Sequence, residues 1–78
     1  MTTVLRFKNF KVAIFENDHF PEHVHILGPS FELKINLNNC ECYYARGLNK
    51  VGVGRMEKFI KANQEFLLET WRSIHEDE

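Results

Sequence analysis

Three of the chain's four histidines, His19, His23 and His25, fall within seven residues, in the stretch Asn17 to His25 that reads NDHFPEHVH. Imidazoles this close together suit two kinds of chemistry. A neutral ring nitrogen is a ligand for a divalent metal such as zinc or non-haem iron, and a neighbouring carboxylate completes or orients such a site. Asp18, Glu16 and Glu22 are the carboxylates within reach along the chain. Imidazoles also carry protons near neutral pH, and a pair of them on a basic surface can trade protons around an RNA 2′-hydroxyl, as in a ribonuclease. The ordinary role stands beside both: His23 and His25 as solvated strand residues, with the His19 ring bonding backbone near Pro21. His19, His23 and His25 are thus the candidate metal ligands and the candidate catalytic residues, and spacing alone leaves the three readings open.

The rest of the chain offers little competing chemistry. It has neither a G-x-x-x-x-G-K-[ST] loop nor a G-x-G-x-x-G turn, so no nucleotide cofactor is expected. Its two serines, Ser30 and Ser73, lie outside any nucleophile elbow. Cys40 and Cys42 sit one residue apart on what reads as a strand, too close for an ordinary disulfide, and a lone C-x-C is weak evidence for zinc. They read as core thiols in a reducing, cytoplasmic setting. His75, at the end of the chain's helical pattern, suits contact with the last helix carbonyls.

The elements that must hold the histidines come next. At 78 residues, 44% hydrophobic and 27% charged, the chain is expected to form a single domain over residues 1–78 with a modest core. Seven Phe, two Tyr and one Trp supply the bulk of that core. No stretch has the length and apolarity of a membrane span. The formal net charge is −1, which gives no general pull toward nucleic acid. Three of the acids are the last three residues, however, so the body of the chain is mildly basic.

The apolar spacing changes period once, near Gly47. Before it, Leu5 and Phe7, then Phe10, Val12 and Ile14, then Val24 and Ile26, then Phe31, Leu33, Ile35 and Leu37 alternate in the period-2 pattern of half-buried strands. Cys40 to Tyr44 supplies a short fifth. After Gly47, Met56, Phe59, Ile60, Asn63, Phe66, Leu67, Thr70, Trp71 and Ile74 follow helical spacing. This predicts an α+β fold, with an antiparallel sheet of four or five strands over about residues 2–45 and one long C-terminal helix over about 50–75 on one face. Asn49 is the expected N-cap, with Gly52 and Gly54 weakening the first turns so that the helix frays or starts near Arg55. Glu57 and Lys61 are expected to pair on the outer helix face.

Strand parity then places the site. If Val24 and Ile26 face the helix, His23 and His25 face the other way, beside Arg6, Lys8, Lys11, Ala13, Phe15, Glu32, Lys34 and Asn36. Asp18, Arg6, Lys11 and Lys34 are therefore candidate binding residues on a basic face, with Phe15 and Tyr43 as rings on which bases could stack.

The segments TTVLRF, NDHFPEHVH, FELKINL, RGL and LLETW together resemble the bacterial family called domain of unknown function 4160, along nearly the whole chain. The most specific likeness is N-D-H-x-P-x-H-V-H, matched by Asn17, Asp18, His19, Pro21, His23, Val24 and His25, with Glu22 where the family usually has a second proline. Cys40, Cys42, Gly52 and Gly54 are not part of it. The resemblance implies a small cytosolic bacterial protein encoded beside another small protein in an arrangement similar to a toxin and antitoxin pair. On that basis the expected function is a binding module that acts with this partner through its His segment, with or without a metal. A ribonuclease-like enzyme acting on RNA is the alternative.

Overall fold

The computed structural model describes residues 1–75, with 76–78 outside the described part. Strands β1 (Thr2–Arg6), β2 (Lys11–Ile14), β3 (His23–Leu27), β4 (Glu32–Asn36) and β5 (Cys42–Arg46) precede helices α1 (Lys50–Ala62) and α2 (Gln64–His75). The strands form one sheet in chain order, every neighbour antiparallel. Short polar turns allow only this meander, because parallel pairing would need long crossovers.

Alternation builds the core. Val12, Ile14, Val24, Ile26, Leu33 and Ile35 project from one side of the sheet and are buried with Ile60, Leu67 and Trp71 of the two helices. Each such aliphatic side chain contributes on the order of 1.5–3 kcal/mol through the water it leaves. At one end of the sheet Phe7 and Phe10, in the β1–β2 turn, stack at 4.8 Å between ring centroids and meet Phe59 of α1 edge-on at 5.3 and 5.9 Å. The turn is thereby fastened to α1.

The helical region is two helices, not the single long one its spacing predicts. Asn63 lies between them with φ −113° and ψ 14°. Its side-chain Nδ2 donates to the Phe59 carbonyl at 2.9 Å, and Gln64 Nε2 donates to the Leu37 and Asn38 carbonyls at 2.8 and 3.2 Å. Asn63 continues the apolar stripe by position, but its amide competes for backbone groups and ends the turn. Gln64 then anchors the start of α2 to the chain just beyond β4. Asn49 caps α1 as expected, its Oδ1 accepting from Gly52 N at 2.9 Å, and the helix begins at Lys50 rather than near Arg55. Glu57 does not pair with Lys61. Its carboxylate accepts from the backbone N–H of Cys42 at 2.7 Å and ties α1 to β5.

Both edge strands carry a one-residue irregularity. Thr3 faces Ala13 while Leu5 faces Val12, leaving Val4 unmatched. Tyr44 faces Lys34 while Cys42 faces Ile35, leaving Tyr43 unmatched. Such bulges bend an edge and re-aim a side chain. Gly47, at φ 85°, closes β5, and a Cβ there would lie 2.1 Å from the Ser30 carbonyl oxygen, so only glycine fits.

Candidate functional site

The registers put Ala13, His25, Lys34 and Tyr44 in one row across β2 to β5, and His23 opposite Asn36. These side chains project from the face opposite the helices, as parity requires. That face is not fully open. Between Ile14 and His23 the chain loops back over it, and the Phe15 ring stands edge-on to His25 at 4.3 Å. Ala13 is fully buried and His25 is 7% exposed.

The same loop delivers a carboxylate. The backbone N–H of Asp18 donates to the Phe15 carbonyl at 3.1 Å, a turn that aims the Asp18 side chain at the rings. Asp18 Oδ2 lies 3.0 Å from His23 Nε2 and 3.1 Å from His25 Nε2. One atom from each residue falls within a group whose members are all within 4.8 Å of one another. The other two carboxylates are committed elsewhere. Glu16 accepts from the Thr2 hydroxyl at 2.6 Å and the Met1 ammonium at 2.9 Å, which hold its carboxyl down at about 2. Glu22, nearly buried, accepts from Asn38 Nδ2 at 3.1 Å and Arg72 Nε at 3.2 Å, and these bonds, Asn38's foremost, keep it ionised to lower pH than an ordinary glutamate.

The two rings differ in their second nitrogens. His23 Nδ1 lies 2.9 Å from the Pro21 carbonyl. A carbonyl only accepts, so Nδ1 carries a hydrogen. In the neutral ring Nε2 then presents a lone pair to a carboxylate oxygen 3.0 Å away, and two such electron-rich atoms need a cation between them, a proton or a metal ion. Fixing the far nitrogen on a carbonyl is also how metal-bound histidines are held. His25 Nδ1 is buried with no partner. Burial lowers the basicity of His25, with Asp18 acting in the opposite direction. The natural neutral form carries its hydrogen on Nε2, donated to Asp18. Neither ring presents a free nitrogen to solvent.

His19 falls outside this group. It is exposed and lines an adjoining cavity of about 480 Å³ together with His23, Asn36, Glu41 and Tyr43. The ring that bonds the Pro21 carbonyl is that of His23, not His19. The bulged Tyr43 meets His23 edge-on at 6.2 Å, and burial raises the Tyr43 hydroxyl pKa, with Asp18 adding to it. Arg6 and Lys11 pair across β1 and β2 on the same face, away from the histidines, whereas Lys34 adjoins His25. Cys40 is buried and Cys42 half-buried, both as free thiols. His75 Nδ1 donates to the Trp71 carbonyl at 2.7 Å, four residues back, and its ring stacks on the indole at 3.7 Å.

Five antiparallel strands backed by two helices, with an Asp and two His drawn together beneath a loop on the uncovered side, define a small two-layer α+β protein with one compact polar site. The chain belongs to the family described as Domain of unknown function (DUF4160), whose model matches residues 9–72. That span includes every residue of the Asp18, His23 and His25 group. No curated protein and no solved structure matches the chain. Among the described residues no helix is long and apolar enough to cross a membrane.

Proposed function

We propose that the protein is a small binding module in which Asp18, His23 and His25 hold a divalent metal ion, the 2-His-1-carboxylate set that suits zinc or ferrous iron. The observation that carries this reading is Asp18 Oδ2 at 3.0 and 3.1 Å from two Nε2 atoms. Donors bonded to one ion at ordinary zinc distances stand roughly 3–3.5 Å apart. The two Asp18–His pairs already stand at that spacing, the two imidazole donors lie within 4.8 Å of each other and would close on the ion, and the Nδ1–H bond of His23 to Pro21 already orients one ligand. His25 is the weaker donor. Taking a metal on Nε2 shifts its hydrogen to the unpartnered Nδ1, at a cost of about 1–3 kcal/mol.

The module acts with a second small protein, in a pair similar to toxin and antitoxin. Support for a protein partner comes from the family likeness and from β5 being an edge strand, whose outer backbone groups can take an added strand. An RNA-cleaving activity, the alternative, would draw its proton carrier from the exposed His19 on the adjoining cavity, because both ring nitrogens of His23 are engaged and the free one of His25 is buried.

Metal analysis of untagged protein tests the central reading. About one equivalent of zinc or iron is expected in the wild type, lost in Asp18→Ala and His23→Ala and reduced in His25→Ala. A metal-free wild type that takes up no added zinc or ferrous iron would remove the metal. Co-purification from cells carrying the neighbouring genes tests the partner, and a chain that always emerges alone counts against it.

A further inference from the structure

We infer that the part of the helix-free sheet face left uncovered by the loop between Ile14 and His23 is a track for single-stranded nucleic acid, running from Arg6 and Lys11 through Lys34 to Tyr44. The residues differ from those proposed to hold metal, and the inference does not depend on that reading.

The registers align two rows on this face. One is Ala13, His25, Lys34 and Tyr44; the other, two residues along each strand, is Arg6, Lys11, Leu27, Glu32 and Arg46. Glu32 is the only acid in either row, and it is taken by Arg46 at 3.3 Å. Arg6 and Lys11 stand directly opposite each other, a like-charge pair that costs stability. Among the described residues no carboxylate lies within ion-pair distance of Arg6, Lys11 or Lys34. Lys8 adds a further cation at the hairpin tip. The hairpin and the Leu27–Pro29 turn enclose a shallow hollow of about 350 Å³ lined in part by Arg6, Lys8 and Lys11. Cations set together at a cost, beside a concavity, call for an anionic ligand.

The aromatic residues decide which anion. Tyr44 is 40% exposed and lies on this face, with Lys34 Nζ 5.1 Å from its ring centroid. Tyr43, beside it, is 58% exposed. Tyr44 lies outside the hydrophobic core and stands on the edge strand beside Lys34. Basic residues spread across a sheet, with solvent-facing rings at one edge, are what a single strand needs: phosphates on the cations and bases on the rings. Strands at about 4.8 Å and residue pairs at about 6.7 Å put Lys11 and Lys34 on the order of 12 Å apart, so several phosphates are addressed at once. An acidic peptide would satisfy the cations but leave the rings unused.

Fluorescence anisotropy with labelled oligouridylate of about 12 nucleotides, inside the site sizes usual for such surfaces, tests this in the presence of chelator. Micromolar binding at low salt is expected, with log affinity falling against log salt at a slope of about −2, the value for three phosphate contacts on a single strand. The Arg6→Ala and Lys11→Ala double variant should flatten the slope by about 1.4. Tyr44→Ala should weaken binding about tenfold and leave the slope unchanged. Equal binding of oligothymidylate supports a single-strand site that ignores the 2′-hydroxyl; preference for oligouridylate supports one that reads it. No binding at low salt, competition by polyglutamate as effective as by oligouridylate, or binding indifferent to both variants would overturn the inference. The substituted side chains are exposed or half-buried, and circular dichroism checks that the variants fold.

Discussion

Asp18 Oδ2 stands 3.0 Å from Nε2 of His23, although four residues and a reversal of the chain separate the two. The carboxylate and the ring face each other only because the loop returns over the sheet face on which His23 lies. Asp18→Asn keeps the shape and removes the charge. It is expected to lower zinc affinity by at least about a hundredfold in a titration against a chromophoric chelator. Zinc at a hundredfold excess over the wild-type dissociation constant should stabilise the wild type by about 2.7 kcal/mol and Asp18→Asn by no more than about 0.4 kcal/mol in the same denaturation assay.

Glu22 joins β3 to the chain beyond β4 and to α2 through Asn38 and Arg72. Its lowered pKa means that the ionised form is favoured by folding. The resulting stability is present above the unfolded glutamate value near about 4.3 and fades as pH falls through the folded value. Glu22→Gln should therefore cost about 1 kcal/mol or more near neutral pH, and the difference from wild type should shrink below about pH 4. Urea unfolding across pH measures it, and a difference constant into acid would contradict the assignment.

Gly47 combines φ 85° with a close approach to the Ser30 carbonyl. Gly47→Ala meets both obstacles and is expected to cost about 1–3 kcal/mol. Gly54, whose Cβ would meet nothing within 4 Å, is the control: Gly54→Ala sits in a helix and should stabilise by up to about 1 kcal/mol. Thermal denaturation of the pair should move in opposite directions.

Gln64 connects the start of α2 to the Leu37 and Asn38 carbonyls. Gln64→Ala leaves the carbonyl oxygen of the buried Leu37 without this donor and is expected to cost about 1–2 kcal/mol. Hydrogen exchange should report the loss locally, with faster exchange in the first turn of α2 than in α1.

Much of the fold was legible because its signals are periodic. Two-residue alternation located the first four strands and assigned Val24 and Ile26 to the core and His23 and His25 to the other side, since neighbouring side chains on a strand have no alternative, while the short fifth, expected over Cys40 to Tyr44, runs from Cys42 to Arg46. Helical spacing located the C-terminal region but not its division at Asn63, because a stripe records which positions face the core and not what an amide does to the backbone between them. The pairing expected of Glu57 and Lys61 failed for a related reason: spacing on a helix cannot register the unpaired N–H of Cys42 waiting on a distant strand.

The candidate site divides in the same way. Residue types and strand parity were enough to single out the histidines and to put His23 and His25 on one face. Choosing Asp18 over Glu16 and Glu22, setting His19 apart on a cavity wall, and burying His25 under Phe15 depended on how a loop folds back and on which distant donors claim each carboxylate. Local rules act within a few residues along the chain, whereas those contacts join groups that only packing brings together.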